Sequence, residues 1–193
     1  MTRLPRSARE DRKRMKIYTR KGDDGTTGLL FGGRVRKDSP LPAAYGEVDE
    51  AQAALGLARA ECERGSELDA LLIHLERDLW VLMAELATAP DNRHKLEPGT
   101  SLVTAEMVAA LEPVIDDLTA RFDPPTEFVV PGQNRTAALL DMARTVVRRA
   151  ERGCVDVAPE GSHVVAYLNR LSDLLWTMAR GQEERSLPTR ERT

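Results

Sequence analysis

The chain has 193 residues, a formal net charge of −3, and a composition that is 41% hydrophobic and 31% charged. These values predict a soluble folded domain with a buried core. They argue against a dedicated nucleic-acid-binding protein, which needs an excess of basic residues. No apolar run approaches the length of a membrane span, so no membrane association is expected. The two cysteines, Cys62 and Cys154, are far apart, which favours a reducing, cytoplasmic setting over a disulfide framework.

The two ends of the chain differ in composition from its middle. Residues 1–15 are basic and lack the apolar stretch of a secretory signal, so we interpret them as a disordered extension, with Met15 as an alternative start. Residues 16–180 carry helical patterning and form the predicted helical domain. Residues 181–193 are polar, and we expect a disordered tail there.

The segment 16–36 is rich in glycine and turn residues, which excludes a long helix. Its glycines, threonines and basic residues are the ingredients of a phosphate cradle, because glycine allows backbone N–H groups to approach an anion. The segment matches neither a Walker A loop nor the G-x-G-x-x-G pattern. The alternative interpretation is a turn-rich arm folded over the rest of the domain, and the sequence leaves both open.

From Tyr45 onward, apolar residues recur three and four positions apart, which predicts five amphipathic helices. The first is expected to begin near Tyr45, so that its acidic residues fall in the first turn and complement the helix dipole. Asp49 is adjacent to the core position Val48, and we therefore expect it to be partly buried and paired with a cation. Without convincing strand alternation, the pattern predicts an all-α, five-helix bundle of ferritin-like architecture with a glycine-rich N-terminal arm.

The later helices have recognisable boundaries. Thr104 is a candidate N-cap for the third helix, and Pro113 is expected to kink it. The fourth helix is predicted to begin near Arg135. The fifth follows a loop at residues 159–161. Between the third and fourth helices, residues 128–130 form an apolar run too short to assign.

Residues 143–152 have the sequence ARTVVRRAER. Arg144, Arg148 and Arg152 are spaced four apart and therefore lie along one stripe of a helix. Their guanidinium groups repel one another unless an anion lies among them, and their planar donor geometry suits phosphate oxygens, which suggests a polyphosphate ligand. The alternative is an ordinary solvated helix face.

Other polar residues are candidates for ligand or metal binding. Asn169 and Asp173 are four apart on the fifth helix, where they either touch a ligand or set helix register. A di-iron bundle needs two Glu-x-x-His motifs, but the one match, at residues 160–163, crosses a Pro/Gly loop. The sequence therefore predicts no protein-held metal site.

Six segments occur in an order that identifies a family. They are residues 17–27 (IYTRKGDDGTT), 34–38 (RVRKD), 44–50 (AYGEVDE), 128–132 (FVVPG), 143–152 and 167–173 (YLNRLSD). Together they resemble the PduO-type ATP:cob(I)alamin adenosyltransferases, and the resemblance runs from about Lys16 to Arg180. This sequence departs from the family at Leu41, Ala51, Gln52 and Gln133. These positions bear on corrin contacts more than on phosphate binding.

The resemblance implies a homotrimer with an active site at each subunit interface. Asp49 and Arg144 match an ion pair across that interface, and Phe128 matches an aromatic residue beneath the corrin ring. Together with Arg148, these are the expected catalytic residues. The residues expected to bind ATP are Thr19, Arg20, Lys21, Gly22, Thr27 and Lys37 from one subunit, and Arg148, Arg149, Glu151, Arg152 and Asn169 from its neighbour.

The implied activity is transfer of the 5′-deoxyadenosyl group of ATP to cob(I)alamin, with release of triphosphate. Mg²⁺ would be held mainly through the ATP phosphates, and the arginines would stabilise the leaving group. A reductase and an adenosylcobalamin-dependent acceptor enzyme are possible partners. The alternative function is a non-catalytic protein that binds a nucleotide or adenosylcobalamin as a sensor or delivery protein.

Overall fold

The structure is a computed structural model that describes residues 17–190. The predicted N-terminal extension therefore lies outside the described residues, as do the last three residues of the chain. Six α-helices lie between these limits: α1 (Pro40–Ala60), α2 (Glu67–Leu86), α3 (Ala105–Ala109), α4 (Leu111–Thr119), α5 (Arg135–Cys154) and α6 (Val164–Gly181). A short 3-10 helix spans Pro90–Lys95.

The four long helices form the bundle. Helix α1 packs against α2 and α5, α5 packs against α6, and α4 covers α6. Apolar residues of all four long helices meet in one core, which includes Val48, Leu79, Val147 and Leu171. The predicted all-α bundle is confirmed. None of the helices within residues 17–190 has the length and apolar character needed to cross a membrane.

Helix α1 begins at Pro40, five residues before the predicted start. Proline is accommodated in the first turn because its missing N–H has no helical acceptor there. The first turn consequently contains no acidic residue, and the predicted role of Asp49 in complementing the helix dipole is wrong. The remaining boundaries follow the sequence more closely, since α2 spans Glu67–Leu86 and α5 begins at Arg135.

The third predicted helix is divided into α3 and α4. Thr104 caps α3, its hydroxyl accepting a hydrogen bond from the N–H of Met107. The break falls at Ala110. Pro113 explains its position, because proline cannot donate to the carbonyl four residues earlier and its ring clashes with that carbonyl.

Two small antiparallel sheets accompany the helices. In the arm, β1 (Thr26–Gly28) pairs with β2 (Arg34–Arg36), and the turn between them uses Gly32 and Gly33 at φ 104° and 92°, which glycine adopts without strain. Later in the chain, β3 (Val129–Val130) pairs with β4 (Leu187–Pro188). The expectation of a disordered tail from residue 181 is therefore wrong for residues 187–189, because β4 and the N–H of Thr189 form backbone hydrogen bonds with the segment 128–130.

Candidate active site

The glycine-rich arm brings a lysine against its own backbone. A Cβ atom added to Gly22 would lie 3.0 Å from Lys37 Nζ and 3.1 Å from the carbonyl oxygen of Thr26. Glycine therefore leaves the space that the Lys37 side chain occupies. Lys37 itself is exposed, so its ammonium group remains open to a ligand at this bend.

Hydrogen bonds hold the arm in shape. The Arg34 guanidinium donates to the carbonyl oxygen of Lys21 and to Thr26 Oγ1, each at 2.5 Å. Asp24 accepts from the N–H and the hydroxyl of Thr26, and these bonds lower the pKa of the Asp24 carboxyl. Arg34 and Asp24 were not predicted as site residues. Both lie within the family segments 17–27 and 34–38, which could have drawn attention to them.

The other predicted arm residues lie along the same segment. Thr19, Arg20 and Lys21 are exposed, and Thr27 is partly buried in β1. Arg20 has φ 60°, a conformation that is uncommon for residues other than glycine, and its guanidinium lies 5.4 Å from the Tyr18 ring centroid. The arm therefore presents several cationic side chains to solvent.

The arginine stripe lies on α5 as predicted. Arg148 and Arg152 are exposed on successive turns, and Arg152 donates to the carbonyl oxygen of Arg148 at 2.9 Å. Neither guanidinium forms an ion pair with a carboxylate within residues 17–190. Arg149 differs, because it pairs with Glu50 of α1 at 2.5 Å, a contact that raises the pKa of Arg149.

Helix α6 contributes one predicted residue next to this stripe. Asn169 donates a hydrogen bond from Nδ2 to Glu151 Oε1 at 3.0 Å. The structure thus brings together two predicted ATP-binding residues from different helices. Asp173 pairs instead with Arg170 on its own helix.

Asp49 and Arg144 do not meet within the chain. Asp49 is exposed, so the expectation that it is partly buried is wrong for the single chain: its side chain points away from the core side occupied by Val48. Arg144 instead contacts Asp141, one turn earlier, with Nε 3.2 Å from Oδ1. The pair across a subunit interface remains a prediction.

Phe128 lies at the edge of a cavity of about 560 Å³. Its side chain is 89% exposed, unusual for an aromatic residue without a partner surface. The cavity is also lined by Val129, Trp176 and Arg144. Apolar and aromatic side chains form about half of the lining and polar or charged side chains form the rest, a combination that allows a small molecule to be both buried and oriented.

A buried charge network forms one wall of this cavity, and sequence reasoning missed it. Arg180, only 2% exposed, contacts Asp141 Oδ2 at 2.5 Å and Glu183 Oε1 at 3.0 Å through Nη2. Asp141 therefore binds two arginines, since its other oxygen faces Arg144. A charged residue in an apolar helix stripe was the available signal at both Asp141 and Arg180.

Helices α1 and α5 approach closely at a second unpredicted contact. A Cβ atom on Gly153 would lie 2.0 Å from Glu47 Oε2, so the glutamate occupies space that another residue would fill. This oxygen is buried and accepts no hydrogen bond within residues 17–190. A glycine near the end of a long helical pattern was the signal for such an approach.

The arm and the arginine stripe are not bonded to each other in the described part of the chain. Among residues 17–190, no hydrogen bond or ion pair joins the segment before α1 to Arg148, Arg149 or Arg152. Helix α1 runs antiparallel to α5, as the Glu50–Arg149 and Glu61–Arg135 ion pairs show. Within the described part of the chain, no group of three or more His, Cys, Asp or Glu residues could hold a metal ion.

Comparison with known proteins agrees with this arrangement. The family model described as cobalamin adenosyltransferase matches residues 17–182. The chain is 41% identical to the cobalamin adenosyltransferase of Cupriavidus metallidurans over 168 residues, which cover 86% of each chain. It is 40% identical to the corrinoid adenosyltransferase PduO of Citrobacter freundii over 172 residues. That match covers 88% of this chain, which spans about half the length of that relative.

Solved structures show the same fold. A phenylalanine-to-alanine variant of the PduO-type ATP:corrinoid adenosyltransferase from Lactobacillus reuteri, complexed with cobalamin and ATP, superposes with a TM-score of 0.81. It is 29% identical, and the match covers 91% of this chain and all of the other. An arginine-to-lysine variant of the same protein, complexed with ATP, gives a TM-score of 0.79 at 29% identity, with 90% of this chain and all of the other covered. From its motifs, its bundle and these matches, the chain belongs to the cobalamin adenosyltransferase family.

Proposed function

We propose that this protein transfers the 5′-deoxyadenosyl group of ATP to cob(I)alamin and releases triphosphate. The observation that carries the proposal is the pair of exposed guanidiniums, Arg148 and Arg152, that face solvent on one stripe of α5 without a carboxylate partner within residues 17–190. Two unneutralised cations in adjacent turns repel each other, and a polyphosphate relieves that repulsion. The negatively charged triphosphate leaving group is such an anion.

The related structures support the assignment of particular residues. The phenylalanine and the arginine varied in the Lactobacillus reuteri protein are separated by the same number of positions as Phe128 and Arg148 here. We therefore assign Phe128 to the corrinoid and Arg148 to the ATP phosphates. Both assignments agree with the positions of these residues on the cavity rim and on the exposed stripe.

The active site is proposed to lie between subunits of a homotrimer. Within residues 17–190 of one chain, no hydrogen bond or ion pair joins the arm to the α5 stripe, which supports a site that a second copy completes. Thr19, Arg20, Lys21, Gly22, Thr27 and Lys37 would hold ATP from one subunit, and Arg148, Arg149, Glu151, Arg152 and Asn169 from the next. Asp49 is exposed and thus free to reach Arg144 of a neighbouring copy.

In the proposed reaction, the cobalt(I) electron pair forms a bond to C5′ of ATP. The bond between C5′ and its oxygen breaks, and triphosphate leaves with the electron pair of that broken bond. Arg148, Arg152 and Lys37 stabilise the developing charge, and Mg²⁺ is held mainly by the phosphates. No protein base is needed, because no proton is removed from either substrate.

Phe128 has a different task. Reduction of cobalt(II) is difficult while a lower axial ligand is bound. An apolar ring on that side of the corrin excludes the ligand and so makes the reduction easier. We place the protein in the cytoplasm, where a reductase would supply the electron and an adenosylcobalamin-dependent enzyme would accept the product.

The test is an anaerobic spectral assay for cobalt–carbon bond formation with ATP and chemically reduced cobalamin, together with triphosphate release. Arg148→Ala should lower turnover on the order of a hundredfold. Arg77→Ala, which removes an exposed arginine of α2, is the matched control and should leave turnover unchanged. Binding of both substrates without bond formation in the unsubstituted protein would instead favour a sensor or delivery protein.

A further inference from the structure

We propose that Asp141, Arg180 and Glu183 form a positioning network that fixes Arg144 and the Phe128 segment around the cavity, and thereby sets the affinity for the corrinoid. The inference rests on the proposed function. None of the three residues is exposed, so they are positioning residues rather than groups that act on the substrate. Their effect is transmitted through Arg144 and through the backbone of Phe128.

The first part of the network fixes Arg144. Asp141 is 5% exposed and uses one oxygen for Arg144 at 3.2 Å and the other for Arg180 at 2.5 Å. Arg180 makes both of its acidic contacts through a single nitrogen, Nη2, while its buried Nε has no acceptor within residues 17–190. Removal of the Asp141 charge would therefore loosen both arginines at once.

The second part of the network reaches Phe128 through the C-terminal segment. Glu183 joins Arg180 to this segment and also accepts a hydrogen bond from the Ser186 hydroxyl at 3.0 Å. Strand β4 follows directly and pairs with β3. The N–H of Thr189 then donates to the carbonyl oxygen of Phe128 at 2.8 Å.

This backbone bond explains how a fully exposed ring is held in place. With 89% of its surface exposed, the Phe128 side chain has little packing to orient it, so its direction depends on its backbone. The β3–β4 pairing and the Thr189 bond constrain that backbone from the C-terminal side. Without them, we expect the segment to sample other orientations, and corrinoid binding to incur the entropy of ordering it.

Charge balance makes the network sensitive to a single substitution. The two arginines and the two carboxylates carry equal numbers of opposite charges, and the side chains of Asp141, Arg180 and Glu183 are buried. Asp141→Asn preserves shape but leaves a net positive charge and places an amide that also donates near the guanidiniums. The expected consequence is displacement of Arg144 and Arg180, rather than loss of the helix that carries Asp141.

Trp176 provides a direct readout. It lines the cavity, and its ring centroid lies 5.9 Å from the Arg180 guanidinium carbon. The chain has two tryptophans, and the other, Trp80, is 67% exposed on α2. A Trp80→Phe background therefore leaves Trp176 as the single tryptophan, whose emission should be quenched when cob(II)alamin binds.

The experiment titrates cob(II)alamin into the Trp80→Phe protein under anaerobic conditions with ATP present, and separately measures the KM for ATP. Asp141→Asn removes one charged hydrogen-bond partner, so the Kd for cob(II)alamin should rise about tenfold to a hundredfold. The KM for ATP should change less than about twofold. A merely structural role would move neither constant selectively.

The matched control for buried charge is Glu85→Gln. Glu85 is fully buried and pairs with Arg93, but it contacts Ser162 at the opposite end of α6, roughly 27 Å away for a helix of this length. It should lower stability without a selective change in corrinoid affinity. An equal rise of the cob(II)alamin Kd in Glu85→Gln and Asp141→Asn would overturn the proposal.

A second pair of variants tests the link from Glu183 through β4 to the backbone of Phe128. This pair also tests the proposal if Asp141→Asn does not fold. Thr189→Pro removes the N–H that reaches Phe128, whereas Thr189→Ala keeps it. Thr189→Pro should raise the cob(II)alamin Kd and Thr189→Ala should not. Equal Kd values for the two variants would refute the link through β4. The proposed function is tested separately, with the protein that carries none of these substitutions. If that protein formed no cobalt–carbon bond, the proposed function itself would be refuted.

Discussion

The close approach of α1 to α5 makes a prediction about Gly153. A Cβ atom at this position would lie 2.0 Å from Glu47 Oε2 and 2.9 Å from its Cδ, distances that no real pair of atoms tolerates. Replacement by alanine in a helix normally stabilises by up to about 1 kcal/mol. Here the alanine methyl group must displace the glutamate, and insertion of a methyl group into an occupied space typically costs about 1 to 3 kcal/mol.

The cost of displacing Glu47 should exceed the gain in helix propensity by a small margin. The obstructing atoms are the end of a flexible side chain, so Glu47 can rotate away and regain water at an oxygen that has no hydrogen-bond donor within residues 17–190. We therefore expect a cost in the lower half of the range, about 1.5 kcal/mol. After the helix-propensity gain of about 0.5 to 1 kcal/mol is subtracted, Gly153→Ala should lower the free energy of unfolding by about 0.5 to 1 kcal/mol. With Glu47→Ala already present, the same change should raise it by about 0.5 to 1 kcal/mol.

Chemical denaturation of the four proteins of this double-mutant cycle measures the difference. The matched control is Gly56, which lies in the interior of α1 and whose added Cβ would be 3.6 Å from Glu76 Oε1, an ordinary contact. Gly56→Ala should stabilise by about 1 kcal/mol whether or not Glu47 is present. If Gly153→Ala had the same effect in both backgrounds, the reasoning from the close approach would be refuted.

Three further predictions concern stability. Glu85→Ala should lower the free energy of unfolding by about 3 to 5 kcal/mol, because it leaves the Arg93 guanidinium without its buried carboxylate; urea denaturation measures this, and a loss below about 1 kcal/mol would contradict it. Ser66→Ala removes the N-cap that accepts from the N–H of Asp69 and should cost about 1 kcal/mol in the same measurement, whereas Ser66→Asp should cost little. Burial raises the pKa of the Cys154 thiol from 9.0 to about 12, so above pH 9 the unfolded chain releases this proton and the folded protein keeps it. Stability should therefore fall as the pH rises from about 9 toward 12. Cys154→Ala should make the fall between pH 9 and pH 10 smaller, while other titrating groups still contribute to it.

Features governed by local physics were predictable from the sequence. In α2, leucines recur with the helical period from Leu68 to Leu86, and the observed helix begins only one residue earlier. The N-cap at Thr104 and the break caused by Pro113 follow from donors and acceptors within one or two turns. The start of α1 was misplaced because the apolar periodicity becomes clear only near Tyr45, whereas the first turn is marked by a proline, which fits there without a repeating pattern.

Features that depend on distant residues were not predictable. The sequence indicated that the arginines of α5 lie on one stripe. It did not indicate that Arg144 contacts Asp141, whereas Arg148 has no carboxylate partner among residues 17–190. It also gave no reason to connect the C-terminal segment with Phe128, because a two-residue strand has too little pattern to predict its partner.

The sequence by itself therefore determined the helical bundle, its principal boundaries and the family to which the chain belongs, since these depend on periodicity, caps and contiguous motifs. Tertiary structure alone decided which charges are neutralised and which remain open to a ligand. Asp141 and Arg180 are 39 positions apart, and their contact exists only because α5 packs against α6. The pairing of a charge is set by whichever opposite charge the fold brings within a few ångströms, and no local pattern encodes that distance.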